Sequence, residues 1–332
     1  MDIREFLSDD GQAALALCSG FGLPADAAAR GFEPLKLSEW NQLEKQIHAS
    51  ALKRPAALQG CGAEDLAKAL PVLPAEAERI ERLLGRSGQL AMELESLFSK
   101  GMWAITRLDA LYPARLRERL KHQAPSVLFG SGDLALLNRG SVAVIGSRNI
   151  DESGAAFARK VGHKAAAAKV AVVSGGARGS DRLAMEGALE GGGVTIGVLA
   201  DSLERTICQP ELRQLILDAQ LLFLTPYVPT AGFSVGGAMG RNKLIYALAD
   251  AAVVVSSDYQ TGGTWAGATE ALKAGWCPVF VRDGTDLPKG NHALLKLGAT
   301  AFPKQELEQL ADLSEWLRGH AGKRAMEQDL FG

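Results

Sequence analysis

The stretch Val170-Ala171-Val172-Val173-Ser174-Gly175-Gly176-Ala177-Arg178-Gly179-Ser180-Asp181 decides how this chain is read. Its first four residues are apolar and rich in valine, with no polar alternation. That pattern predicts a short strand covered on both faces. Three glycines, a serine and an arginine follow, and a helix is expected to start near Ser180 or Asp181. Glycine lets a backbone approach an anion and expose its N–H groups, and a helix N-terminus favours negative charge. Arginine adds a planar charged fork for the same oxygens. Asp181 stands where a helix cap would hold the loop.

Working outward, the same pattern recurs. Apolar runs occur at Val142–Ile145, Val194–Leu199, Leu221–Leu224, Ala251–Val255 and Val279–Val281. Amphipathic stretches of helical length lie between them: Gly154–Lys169, Arg182–Leu189, Glu211–Ala219, Asn242–Leu248 and Trp265–Ala274. Unalternating strands separated by helices predict a Rossmann-like α/β fold, with a doubly wound, mostly parallel sheet. Three more glycine-rich loops follow or adjoin these strands: Gly146-Ser147-Arg148, Gly240-Arg241-Asn242-Lys243 and Thr261-Gly262-Gly263-Thr264. In a parallel sheet, ligands bind outside the carboxyl ends of the strands. The expected phosphate-binding set is therefore Gly146, Ser147, Arg148, Ser174, Gly175, Gly176, Arg178, Gly179, Asp181, Arg241, Asn242, Lys243 and Thr261 to Thr264.

Upstream, residues 1 to about 105 read as a small all-helical domain, broken by glycine and proline. Leu17-Cys18-Ser19-Gly20-Phe21-Gly22 and Leu58-Gln59-Gly60-Cys61-Gly62 resemble each other. Each fits either a helix-hairpin-helix turn that offers N–H groups to DNA phosphate or an ordinary bundle turn. Residues 106–140 read as a connector, 141–303 as the Rossmann-like domain, and 304–332 as a closing helix with a polar tail. That tail ends in Leu330-Phe331, a possible short docking peptide for a sliding clamp.

Composition bounds the function. The chain has 332 residues, 47% of them hydrophobic, and a net charge of −2. That excludes a general basic coating, so any nucleic-acid contact is a local patch. The four cysteines form no CxxC pair and the five histidines show no metal spacing, so neither a metal nor a cofactor is expected. No apolar run reaches the roughly 18 residues of a membrane span. The first residues lack the marks of an export signal, so a cytoplasmic location is expected.

Taken together, the motifs resemble the DprA/Smf family of DNA-processing proteins. The supporting segments are Ser141-Val142-Ala143-Val144-Ile145-Gly146-Ser147-Arg148, Ser174 to Asp181 with Gly187-Ala188-Leu189, Gly192 to Leu199, Arg241-Asn242-Lys243-Leu244-Ile245, and Thr261-Gly262-Gly263-Thr264. Tyr112-Pro113 and Pro125-Ser126-Val127-Leu128-Phe129 match the segment that precedes them in the family. The resemblance implies single-stranded DNA binding without hydrolysis, a homodimer, and assistance to a RecA-type recombinase. Carried over, the strand-contacting positions are Ser147, Arg148, Gly175, Arg178, Asn242 and Lys243, with Arg241 and Thr261–Thr264 nearby. The sequence departs from the pattern at Met185, where histidine is usual, at Cys208-Gln209-Pro210 in place of a Tyr-Pro pair, and at Asp283-Gly284 in place of Pro-Gly. Too few residues follow 303 for the winged helix that some members carry. A divergent member is expected, serving transformation, repair or phage defence. A competing reading is a LOG-like nucleotide-binding protein or phosphoribohydrolase, with Gly262-Gly263-Thr264 as a partial motif and Glu270 as its carboxylate.

Overall fold

A computed structural model describes residues 3–321 apart from 25, 28 and 286. The Leu330-Phe331 docking segment lies outside the described residues. The chain forms two compact units: one comprises residues up to Ser131 plus Thr225–Ala231, the other Gly132–Leu224 and the chain from Gly232 onward.

The first unit carries helices α1 (Ile3–Phe6), α2 (Asp9–Cys18), α3 (Leu37–Ala49), α4 (Ala63–Ala69), α5 (Pro74–Leu84), α6 (Ser87–Ser99) and α7 (Ala114–Leu120). Prolines open helices here, as at Pro74, because a missing N–H costs nothing in the first turn. The stretch 106–140 is no free linker. Strand β1 (Met102–Thr106) pairs antiparallel with β2 (Val127–Ser131), and every residue of both is buried.

The first Gly-x-Gly turn of this unit is engaged by the protein itself, and the helix start after the second is too. The buried Arg86 donates to the carbonyls of Ala16, Ser19 and Phe21 at 2.8, 2.6 and 2.6 Å, closing the end of α2. Gln89 donates to the Gly22 carbonyl at 2.7 Å. Burial pulls the Arg86 guanidinium down to about 10. At the second turn, the Ala63 N–H at the start of α4 donates to the Glu81 carboxylate at 3.2 Å. The first turn directs carbonyls at a cation and the second gives an N–H to a carboxylate. Both contacts are those of ordinary bundle turns.

The second unit is a parallel sheet of seven strands: β3 (Ser141–Ile145), β4 (Ala171–Ser174), β5 (Thr195–Val198), β6 (Leu221–Thr225), β7 (Ala251–Val254), β8 (Val279–Asp283) and β9 (Thr300–Pro303). Their spatial order is β6-β5-β4-β3-β7-β8-β9. Register pairs include Val142 with Val172 and Ala143 with Ala252, all parallel. The chain winds outward from β3 in one direction and then, from β7, in the other. The order reverses between β3 and β7, and α/β sheets open a crevice at such a point.

The crossovers are α8 (Glu152–Ala167), α9 (Ser180–Glu190), the pair α10 (Leu203–Ile207) and α11 (Pro210–Leu217), α12 (Val235–Leu248), α13 (Gly262–Ala274) and α14 (Lys289–Lys296). Helix α8 packs on α9, and α12 on α13. The segment read as one closing helix is two, α15 (Lys304–Gln309) and α16 (Leu313–Ala321). Asp312 explains the restart, because its carboxylate accepts the Glu315 N–H at 2.9 Å. Among the described residues, no helix is long and apolar enough to cross a membrane.

Candidate nucleic-acid interface

At the reversal point the loops after β3 and β7 and the first turns of α12 and α13 enclose a cleft of about 540 Å³. Gly146, Ser147, Arg148, Asp181, Arg241, Asn242 and Thr261 to Thr264 all line it. Residues more than 100 positions apart in the chain are thus brought to one rim.

Two of the four expected loops are not loops. Gly236, Gly237 and Gly240 lie inside α12, and Gly262 and Gly263 inside α13. Helix α12 starts this early because Ser234 caps it, its hydroxyl accepting the Gly237 N–H at 3.0 Å. The consequence falls on Arg241. Once α12 begins at Val235, Arg241 shares a stripe with Leu244, Ile245 and Leu248, and all four are buried. The guanidinium donates to the Val198 carbonyl. Arg241 is thus an internal support that closes the back of the cleft, and the expectation of a freely offered phosphate contact is corrected.

Its neighbour is Asp181, also buried. Asp181 accepts the Gly175 N–H at 3.2 Å and so holds the loop between β4 and α9. It is not the cap of α9; Gly179 is. Burial pushes its carboxyl up to about 6, against the pull of the Arg241 guanidinium, the Gly146 and Gly175 N–H groups and the Ser174 hydroxyl. A Cβ at Gly175 would displace the Arg241 guanidinium or the Asp181 carboxylate. Gly179 is more tightly fixed. Its φ is +85°, and a Cβ would sit 2.5 Å from the Ser147 carbonyl oxygen and 2.6 Å from that of Arg148. Ser174 is fully buried and donates to the Val144 carbonyl at 2.6 Å, so it ties β4 to β3 and does not face a ligand.

The outward groups are Arg148 and Arg178, both exposed. Among the described residues neither has a carboxylate partner. The Arg148 guanidinium lies over the Phe233 ring, 5.5 Å from its centroid, and Phe233 is itself 54% exposed. Around the loop from Gly176 to Gly179, no described residue accepts the backbone N–H groups. Gly176 and Arg178 face a neighbouring cavity instead of the cleft.

Asn242 lines the cleft but spends its amide on the Gly263 carbonyl at 3.2 Å, joining α12 to α13. Lys243 is half-buried and lies outside the cleft lining; burial pulls its ammonium down while Glu270 raises it. Glu270 is exposed and likewise does not line the cleft.

Three contributors carry no motif. Val235 and Met239, exposed on the first turns of α12, add an apolar wall. Asn291 is wholly buried; it accepts the Ser257 N–H at 2.8 Å and donates to the Val255 and Arg282 carbonyls, fixing the loop after β7. A polar residue in the first turn of α14 gave no signal in the sequence, because its partners are 9 to 36 residues away.

Fold and site together define a Rossmann-like α/β protein with glycine-rich turns gathered at the switch point of a parallel sheet. The chain belongs to the DNA recombination-mediator protein A family, whose sequence profile matches residues 103–314. It is 30% identical over 266 residues to a putative DNA processing protein DprA of Mycobacterium tuberculosis, covering 76% of this chain and 63% of that one. It is 32% identical over 199 residues to the DNA processing protein DprA of Streptococcus pneumoniae, covering 58% and 68%. The chain thus spans less than two thirds of the mycobacterial relative. Among solved structures, the S. pneumoniae protein superposes with a TM-score of 0.63 at 23% identity, covering 92% of this chain and 99% of that one. DprA of Helicobacter pylori, described for its single-stranded DNA binding mode, gives 0.51 at 24% identity, covering 66% and 94%. At these identities the superpositions show a shared fold.

Proposed function

We propose that this chain binds single-stranded DNA along the carboxyl edge of the parallel sheet and acts as a binding protein in DNA processing. One observation carries the reading: an exposed arginine, Arg148, laid over an exposed aromatic, Phe233, at the mouth of a cleft walled by glycine-rich turns. An arginine fork suits phosphate oxygens, and an exposed ring suits an unstacked base. A duplex hides its bases from such a platform, so a single strand is the better ligand. An arginine fork and a stacking ring engage the backbone and the face of a base more than its edges, and weak sequence preference follows.

The family's description as a recombination mediator supports a role in handing the strand to a RecA-type recombinase. The LOG-like hydrolase reading is weaker, because Glu270 stands outside the cleft and no other carboxylate replaces it on α13.

The test is fluorescence anisotropy with single- and double-stranded oligonucleotides at two salt concentrations. Contact with about three phosphates of a single strand predicts a log–log salt slope near about −2, with tighter binding to the single strand. Equal affinity for both forms, or no salt dependence, sinks the proposal.

A further inference from the structure

Among the described residues, two aromatic side chains are exposed, Phe233 at 54% and Tyr259 at 50%. Phe233 belongs to the cleft already described. Tyr259 stands beside the cleft without lining it, while its neighbours Asp258, Thr261 and Gly262 do line it. Of the nine large apolar side chains that are exposed, four are here, Phe233, Val235, Met239 and Tyr259, so exposure concentrates at this edge of the molecule. Apolar groups gathered on a surface mark a contact site, whereas scattered ones need no explanation.

Topology fixes where Tyr259 falls. Neighbouring strands run β4-β3-β7. The loop after β4 carries Arg178, the loop after β3 carries Arg148, and the loop after β7 carries Tyr259. Adjacent strands lie about 4.8 Å apart. The three loops are therefore successive stations along the carboxyl edge, two with an exposed guanidinium and the third with an exposed ring. The third is built differently. Residues 256–264 carry no cation, and Asp258 is exposed among them. Side chains of that kind repel phosphate but leave a ring for a base. The ring is also held in place. Tyr259 meets Trp265 of α13 edge-on, with centroids 5.2 Å apart and planes at 73°. The Gln260 amide donates to the Tyr259 hydroxyl at 3.0 Å. Asn291 fixes the root of the loop, and α14 packs under it so closely that a Cβ at Gly290 would strike the Ser257 and Asp258 carbonyls. A ring fixed before the ligand arrives loses little entropy on binding.

We propose that Tyr259, braced by Trp265, stacks a second base of the bound strand, so that the strand crosses the sheet edge from the β4 side, over Arg148 and Phe233, to the β7 side. The inference rests on the strand-binding reading and adds to it a contact made to a base and not to phosphate. That contact contributes affinity independent of salt, whereas the exposed arginines carry the salt dependence.

The full chain and its variants Tyr259→Ala, Tyr259→Leu and Tyr259→Phe are titrated with a single-stranded oligothymidylate at several salt concentrations, binding being followed by anisotropy. Tyr259 is exposed, so all three variants should fold. Loss of one stacked base predicts affinity about fivefold lower or more in Tyr259→Ala, with the log–log salt slope unchanged from about −2. Leucine packs against Trp265 but has no π face, so it should bind as weakly as alanine, and phenylalanine should recover the lost affinity. A leucine variant that binds like the parent shows that the side chain only braces the loop, and overturns the proposal. A phenylalanine variant as weak as alanine overturns it too, as does a salt slope that shrinks in Tyr259→Ala, since the lost contact is then to phosphate. Parent affinity in Tyr259→Ala overturns the second base contact while leaving the strand-binding cleft standing. A parent chain that binds no oligonucleotide overturns the strand-binding reading itself, and this inference with it.

Discussion

Arg148 and Arg241 line the same cleft, both close to a glycine-rich turn, and do opposite things. Arg148 is exposed and lies over an exposed ring. Arg241 is buried, donates to a strand carbonyl and lies beside a buried carboxylate. The difference is one of backbone context. Arg148 follows β3 in irregular chain, where nothing forces the side chain inward. Arg241 sits in the second turn of a helix, on the stripe that α12 turns toward the sheet. A cation near a glycine is therefore no guide to ligand contact until the secondary structure around it is known. Arg178 belongs with Arg148, and Asp181 belongs with Arg241.

The comparison is broken most severely by removing the inward cation. Arg241→Ala leaves Asp181 buried without its neighbouring charge, and a loss of about 3–5 kcal/mol is expected in a urea-unfolding measurement. Any fall in DNA affinity should then track the folded fraction. The double variant Arg148→Ala/Arg178→Ala should do the converse. Each charge-assisted contact is worth about 1.5–3 kcal/mol, so affinity for a single strand falls by about a hundredfold or more, with an unchanged melting temperature. Its salt slope should drop from about −2 toward about −0.7, as two phosphates are released from contact. Unchanged affinity in this folded variant would falsify the assignment of the outward arginines.

Phe233→Ala removes the ring beneath Arg148. Base stacking is worth roughly 1–3 kcal/mol, so affinity should fall by about five- to a hundredfold, with recovery in Phe233→Tyr. A tyrosine variant as weak as alanine would overturn the stacking role of the ring. The smallest effect is expected at Asp181. Its carboxyl is pushed up to about 6 in the folded chain, from the 3.8 taken as its unperturbed value. Where the folded state holds the proton more tightly, stability falls as pH rises through that window. From pH 7 to pH 5 the parent chain should therefore gain thermal stability relative to Asp181→Asn, by something on the order of a few degrees. A difference that is flat with pH shows that the carboxylate stays ionised, with Arg241 outweighing burial.

Much of the second unit was legible in the sequence because its strands are unbroken apolar runs and its turns are marked by glycine. Six of its seven strands fall where those runs are. Strand β9 escaped because Thr300-Ala301-Phe302-Pro303 is short and ends in proline. Strand β1 escaped because Met102–Thr106 follows a long helical pattern directly. Within the site, Gly146, Ser147, Arg148 and Thr261 to Thr264 could be placed on the cleft from motif order alone. The early start of α12 could not, since glycines at 236, 237 and 240 read as a loop until Ser234 is seen to cap it.

What the sequence determined by itself is the alternation of buried strand, glycine turn and helix, and hence the doubly wound sheet, because apolar periodicity and glycine placement act locally. What only the tertiary structure decided is the direction of each charged group. That depends on which helical face meets the sheet and on which buried partner lies within reach, such as Val198 for Arg241 and Gly175 for Asp181. Val198 comes from a strand 43 residues away, and Gly175 from the far end of the loop that leads into Asp181; only the folded backbone sets which of these carbonyls and N–H groups each charge meets.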